Sequence, residues 1–186
     1  MADKKLAKRT SFISFIIVTL AGFFLHFAFE LSGGSTLVGA FTPINESIWE
    51  HLKLVLFPSI VIAVFEYFSY GKKYEGYLGA KSLSIIIGMI FIVVAYYTYT
   101  GIIGADYAAV NIAIYVVAII VTTVLTYYLT VYNPFDFSET ESIIGITAIT
   151  IISVLFIYFT FYTPQIEIFR DPVTEDFGIA DALTYF

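Results

Sequence analysis

The residues of this chain that could do chemistry are concentrated in one stretch, Thr42-Pro43-Ile44-Asn45-Glu46-Ser47-Ile48-Trp49-Glu50-His51-Leu52-Lys53, set into an otherwise apolar sequence. Two carboxylates, an imidazole and an ammonium group this close together suit a divalent cation. Hard cations take carboxylate oxygens, and zinc takes imidazole together with carboxylate. The expected ligands are His26, Glu30, Glu46, Glu50 and His51, with Glu46 or Glu50 as the base acting on a metal-held water. Asn45, Trp49, Lys53, Arg170 and Asp171 are the expected supporting residues.

A plainer reading stands beside that one. Acidic side chains in the first turns of a helix are favoured by its dipole. Lys53 and Arg170 could pair the carboxylates, and His26 could hydrogen-bond to Glu30 one turn away. The spacing does not reproduce the His-Glu-x-x-His arrangement, in which both histidines face one way. There is no phosphate-cradling glycine loop and no Gly-x-Ser-x-Gly elbow, so a divalent metal ion is the one cofactor these residues suggest.

The elements that must position these groups are membrane spans. Of 186 residues, 59% are hydrophobic and 13% are charged, with a mean hydropathy of +0.88. A soluble domain would be about a quarter charged. Cysteine is absent, which excludes a disulfide framework and thiolate chemistry. The net charge of -6, with no basic cluster beyond short loops and the N-terminus, argues against nucleic acid as a partner. The lipid bilayer is the expected partner, and a homo-oligomer or a contact with another membrane protein stays open.

Apolar runs predict an all-α polytopic membrane bundle of about five transmembrane helices in one integral membrane domain, residues 1–186. The spans are expected at about 12–30, 45–70, 83–99, 108–129 and 143–162, followed by an extracytoplasmic tail, 163–186. Pro43 suits the first turn of the second helix, with Thr42 as its N-cap. Glu46 and Glu50 then lie one turn apart on a single face. The short segment 37–41 could dip into the bilayer if protein covers its backbone. Glu66, within the second span near its inner end, is expected to snorkel or to pair with Lys72 or Lys73, and Asn111 to bond a neighbouring helix.

Lys and Arg near the span ends set the orientation. Lys4, Lys5, Lys8, Arg9, Lys72, Lys73 and Lys81, seven of the nine basic residues, share one side of a five-span chain. That side is expected to be cytoplasmic in a multi-pass protein of the cell membrane. The N-terminus is then inside, and the polar block and the C-terminal tail are outside.

The pattern Asn45-Glu46-Ser47-x-Trp49-Glu50-His51-x-Lys53, with Phe161-Tyr162-x-Pro164 and Phe169-x-Asp171-Pro172-x-Thr174 much later, resembles a family of small prokaryotic integral membrane proteins classed as a domain of unknown function. Members of that family tend to carry proline where this chain has Thr163 and Glu167, and Thr-Gly-x-Tyr-Gly where it has Thr174-Glu175-Asp176-Phe177-Gly178. The resemblance implies the architecture and supplies no activity. Three functions fit the residues. The first is an outer-face cation site, extending to a metal-dependent hydrolase of a lipid-borne or extracytoplasmic substrate. The second is a small transporter or channel subunit with Glu30, Glu50 and Glu66 along its path. The third is a structural or assembly partner with a closed, salt-bridged cap.

Overall fold

A computed structural model describes residues 2–185 of the protein, with side chains from residue 4 to residue 184. Five long helices carry the fold: α1 (Ala2–His26), α4 (Ile48–Ser69), α5 (Tyr77–Ile103), α6 (Ala108–Tyr132) and α7 (Glu139–Phe161). Two short helices, α2 (Ala28–Leu31) and α3 (Thr36–Gly39), join α1 to α4, and a third, α8 (Gly178–Ala182), lies in the tail. The described residues form no β-strand, only an isolated bridge between Arg170 and Phe177.

All five long helices are long and apolar enough to cross a membrane. With 22 to 27 residues each in the candidate spans, they measure about 33–40 Å at 1.5 Å per residue, against a hydrocarbon core of about 30 Å. Their outward surfaces are what lipid requires: Phe12, Leu20, Phe24, Phe65, Phe68, Val94, Val124 and Val154 are all exposed. Small and hydroxyl side chains are buried instead, among them Ser59, Ala80, Ser84, Ala118, Thr122 and Thr160. That inversion reflects packing in lipid, where close backbone approach rather than water exclusion drives association. α5 packs on α4, α6 and α7, and α1 packs on α4 and α6. A Cβ at Gly88 would lie 2.0 Å from Thr122 Oγ1, so any larger residue there would force the α5–α6 contact to shift. α7 starts with a capping box in which Ser138 and Glu141 bond each other's backbone N–H.

Three of the boundaries that differ from the sequence expectation bear on the polar residues. First, α4 begins at Ile48 with Ser47 as N-cap, whose Oγ accepts from the Glu50 N–H at 3.3 Å. Thr42 does not cap a helix at Pro43. Its hydroxyl donates back to the Val38 carbonyl at 3.0 Å, and Asn45 Oδ1 accepts from the Ser47 N–H at 3.1 Å in an Asx turn. Second, α5 starts at Tyr77, well before residue 83, and takes Lys81 into the bundle. Lys81 is 4% exposed and pairs with Glu66 at 2.8 Å, while the Tyr77 hydroxyl donates to the same carboxylate at 2.7 Å. Glu66 is thus partnered by Lys81 rather than by Lys72 or Lys73. Third, α1 ends at His26, and Phe27 separates it from α2.

Ala7 packs with Tyr70 and Tyr77, and Lys4 lies 4.8 Å from the ring of Tyr132, so the start of α1 and the ends of α4 and α6 share one end of the bundle. The opposite end is capped by residues 27–47, the turn after α5, and the tail. There Phe29, Ile44, Ile179 and Ala182 form a small core of their own. The segment 37–41 belongs to this cap. Gly39 packs beneath Phe29 and Ile44, while Leu37 is 74% exposed.

Candidate functional site

The capped end divides the polar stretch into two clusters, one closed and one open. The closed cluster is built on Lys53, which is fully buried. Its ammonium group pairs with Glu50 at 2.5 Å and also donates to Thr160 Oγ1 at 2.6 Å and the Gly39 carbonyl at 2.8 Å, with the Thr42 carbonyl at 3.3 Å. Glu50 Oε2 accepts from the Ile44 N–H at 3.2 Å as well. This one ion pair therefore ties the end of α3 and the non-helical segment after it to α4 and α7. It also satisfies backbone groups that would otherwise be buried without partners.

Trp49 performs a similar task with its ring. It stacks on Phe156 of α7 with centroids 4.2 Å apart, and packs on Phe169 of the tail at 4.7 Å. Asp171 holds the tail against the polar stretch. Its carboxylate accepts from the Glu46 N–H at 3.1 Å across 125 residues, and from the Val173 and Thr174 N–H groups at 2.7 and 3.2 Å. Arg170 stays within the tail, 3.0 Å from Glu175 and 3.8 Å from Glu167, and pairs with no carboxylate of the polar stretch.

The open cluster is His26, Glu46 and His51, whose potential ligand atoms all lie within 4.8 Å of one another. His26 comes from the last turn of α1, Glu46 from the bend before α4, and His51 from the first turn of α4. Glu46 Oε2 is 3.4 Å from His51 Nε2, and Oε1 is 3.9 Å from His26 Nε2. His51 Nδ1 lies 2.9 Å from the Ser47 carbonyl, the distance of an N–H donating to it. That bond orients the ring so that Nε2 faces Glu46. The hydrogen bond from His51, strengthened by the charges of both histidines, holds the Glu46 carboxyl below its ordinary range in spite of partial burial.

Two expected ligands lie outside this group. Glu50 is taken up by Lys53, and Glu30 sits exposed on α2, beyond the interruption at Phe27. Glu30 lines a neighbouring pocket of ≈ 390 Å³ together with Asn45, Glu46 and Asp171.

Sequence reading missed the residues facing the open cluster. Asp106, in the turn between α5 and α6, receives hydrogen bonds from Asn111 Nδ2 at 2.8 Å, Tyr99 at 2.7 Å and Tyr96 at 3.1 Å. Burial pushes its carboxyl up, but the bonds from Tyr99, Asn111 and Tyr96 and the charge of His51 outweigh this and hold it low. The available signal was an acid just before a span with an amide one turn inside it and tyrosines at the end of the preceding span. Asp106, Asn111 and Tyr96 join His26, Glu46 and His51 in lining a cavity of ≈ 520 Å³ whose deeper wall is apolar, made by Leu54, Ile92, Ile114 and Tyr115.

This arrangement can coordinate a cation at the rim of an apolar chamber. Comparison with known proteins adds no activity, since no curated protein and no solved structure matches the chain. A family model matches residues 1–179, and the chain belongs to that family, a family of unknown function (DUF6512).

Proposed function

We propose that His26, Glu46 and His51 bind one divalent cation, zinc by the chemistry of the donors, and that the site is the reaction centre of a metal-dependent membrane hydrolase. Two imidazoles and one carboxylate are a catalytic rather than a structural set, because three protein ligands leave a fourth position open. The observation that carries the reading is the bond from His51 Nδ1 to the Ser47 carbonyl, the outer partner that metal-binding histidines generally have. Tetrahedral zinc at about 2.1 Å from each donor needs donors about 3.4 Å apart. The donors already lie within 4.8 Å, and Glu46 is on a half-exposed bend that can close the difference. A zinc ion there would polarise a water to titrate near neutrality and so provide a nucleophile. Glu46 serves as ligand, and the carboxylate facing the rim from the other wall is Asp106; Glu50 is the structural partner of Lys53.

The protein is oriented with its N-terminus in the cytoplasm. Lys4, Lys5, Lys8, Arg9, Lys72 and Lys73 lie at one end of the bundle, while the other end holds only Lys53, which is buried, and Arg170, paired within the tail. By the positive-inside rule the cation site faces outward.

The test is metal analysis of the detergent-purified protein by plasma mass spectrometry after chelation and zinc reloading. Near-stoichiometric zinc is expected in the wild type, lost in His26→Ala and in His51→Ala, and kept in Glu50→Gln if that variant folds. Equal zinc in wild type and His51→Ala, or none in either, rules the site out.

A further inference from the structure

We infer that the cavity beneath the cluster receives the apolar tail of a bilayer lipid, which enters sideways between α1 and α6 and places its polar head at His26, Glu46 and His51. Deep in the bundle these two helices are locked together. The Tyr115 hydroxyl donates to the Val18 carbonyl at 3.0 Å, with the Thr19 carbonyl at 3.3 Å, and the ring lies over Gly22, where a Cβ would sit 1.9 Å from the hydroxyl oxygen. That crossing is the floor of the chamber. Above it the walls are Phe23 of α1, Phe27 just past its end, and Ala108 and Ile112 of α6. All four are also exposed, Phe27 at 54% and Ile112 at 50%. Exposed lining residues on both helices mark the side on which the chamber is open, and on a membrane span that side meets lipid. Leu54, Ile92 and Tyr115 on the far wall are buried.

The dimensions favour a tail that passes through the opening over a solute enclosed by the chamber. From Asn111 at the rim to Tyr115 at the floor is one helical turn, about 6 Å. The volume of ≈ 520 Å³ suits a ligand of ordinary size, so the chamber is wide and shallow. A long chain anchored by its head at the rim must leave by the side, across Phe23, Phe27, Ala108 and Ile112. A polar solute would find no hydrogen-bonding partner on the deeper wall, whose one hydroxyl, that of Tyr115, is already bonded to α1. The polar groups gather at the rim, where Asp106, Asn111 and Tyr96 face the two histidines and Glu46.

The role of the head group rests on the zinc reading above; the tail chamber does not. The probe is a fatty acid carrying a diazirine in its chain, added to the protein in phosphatidylcholine nanodiscs, with a short water-soluble diazirine carboxylate as the contrasting arm. After illumination, labelled residues are mapped by mass spectrometry, and zinc content is measured on the same samples. Labels are expected on Leu54, Ile92, Ile114 and Tyr115, falling about tenfold, or about 1.4 kcal/mol of binding, in Ala108→Trp. Both Ala108 and Ile112 sit at the exposed mouth, so Ile112→Trp provides a second block should the first variant misfold. Chamber labelling in protein that holds no zinc supports the lipid site and removes the metal reading. Labels confined to outward residues such as Phe24 and Phe65, unchanged by either tryptophan, overturn the proposal, as does chamber labelling by the soluble probe alone.

Discussion

Replacing Lys53 by Met tests whether the closed cluster is what holds the cap on the bundle. The methionine keeps much of the side-chain volume but removes the ammonium group that Glu50, Thr160, Gly39 and Thr42 share. Glu50, 3% exposed, is then left with the Ile44 N–H and the Thr160 hydroxyl, and two buried carbonyls lose their donor. Breaking a buried ion pair from one side costs about 3–5 kcal/mol. For a chain of this length that corresponds to about 6–20 °C in melting temperature. Trp49 is the single tryptophan of the chain and stacks between α7 and the tail, so its fluorescence reports on the capped end during heating. Lys53→Met/Glu50→Leu removes both charges and should recover part of the loss, because two close partners are not additive. A shift of under about 2 °C in Lys53→Met, or a double variant as unstable as the two single losses summed, would refute a buried, mutually dependent pair.

Two further outcomes follow from the same end of the molecule. The folded protein holds the Glu46 carboxyl below its unfolded value, so the stability it contributes is present above the ordinary carboxylate pKa of about 4.3 and is lost as pH falls through the lowered folded value; in a melting series from pH 6 down to about pH 3, Glu46→Gln should show a shallower decline than wild type, and an unchanged slope would refute the pairing with His51. In the tail, Asp171→Ala removes an acceptor from three backbone N–H groups and should cost about 2–3 kcal/mol, whereas Arg170→Ala, whose partners Glu167 and Glu175 are exposed, should cost under about 1 kcal/mol; the Trp49 melting curve distinguishes them, and equal losses would mean that Arg170 rather than Asp171 fastens the tail.

The five helices were legible in the sequence because a run of apolar residues in lipid has few alternatives to a helix: every backbone group must be satisfied within the segment. Boundaries were less legible where a charge enters the bundle. Lys81 reads as a loop residue until Glu66, on another helix, is known to be its partner at 2.8 Å. The start of α4 was misplaced for a related reason. Pro43 and Thr42 have good local chemistry for a helix start, but the Gly39 and Thr42 carbonyls and the Ile44 N–H are satisfied from a distance by Lys53 and Glu50, and the N–H groups of 39–42 bond back to 35–38. With no need for intrahelical bonds there, the chain turns at Asn45 and the helix waits for Ser47. Asp106 was invisible as a site residue because its relation to His51 depends on how the α5–α6 turn folds over the cavity.

That late start of α4 also separates the two roles of the polar stretch. Had the helix begun at Pro43, Glu46 and Glu50 would have stood one turn apart on one face and could have shared a partner. Instead Glu50 lies inside the first turn and is taken up by Lys53, while Glu46 lies on the bend before it, tied through its backbone N–H to Asp171 and free to turn its carboxylate toward the histidines. The contrast in satisfaction is physical. Lys53 has an acceptor for every proton, whereas His26 Nδ1 is buried with no hydrogen-bond partner and its Nε2 stands 3.9 Å from Glu46, beyond hydrogen-bond distance. A buried polar group left without a partner costs free energy, and such groups persist where a ligand completes them. On that ground the cation site we propose is assigned to the open cluster, and the closed cluster beside it serves as its fixed frame.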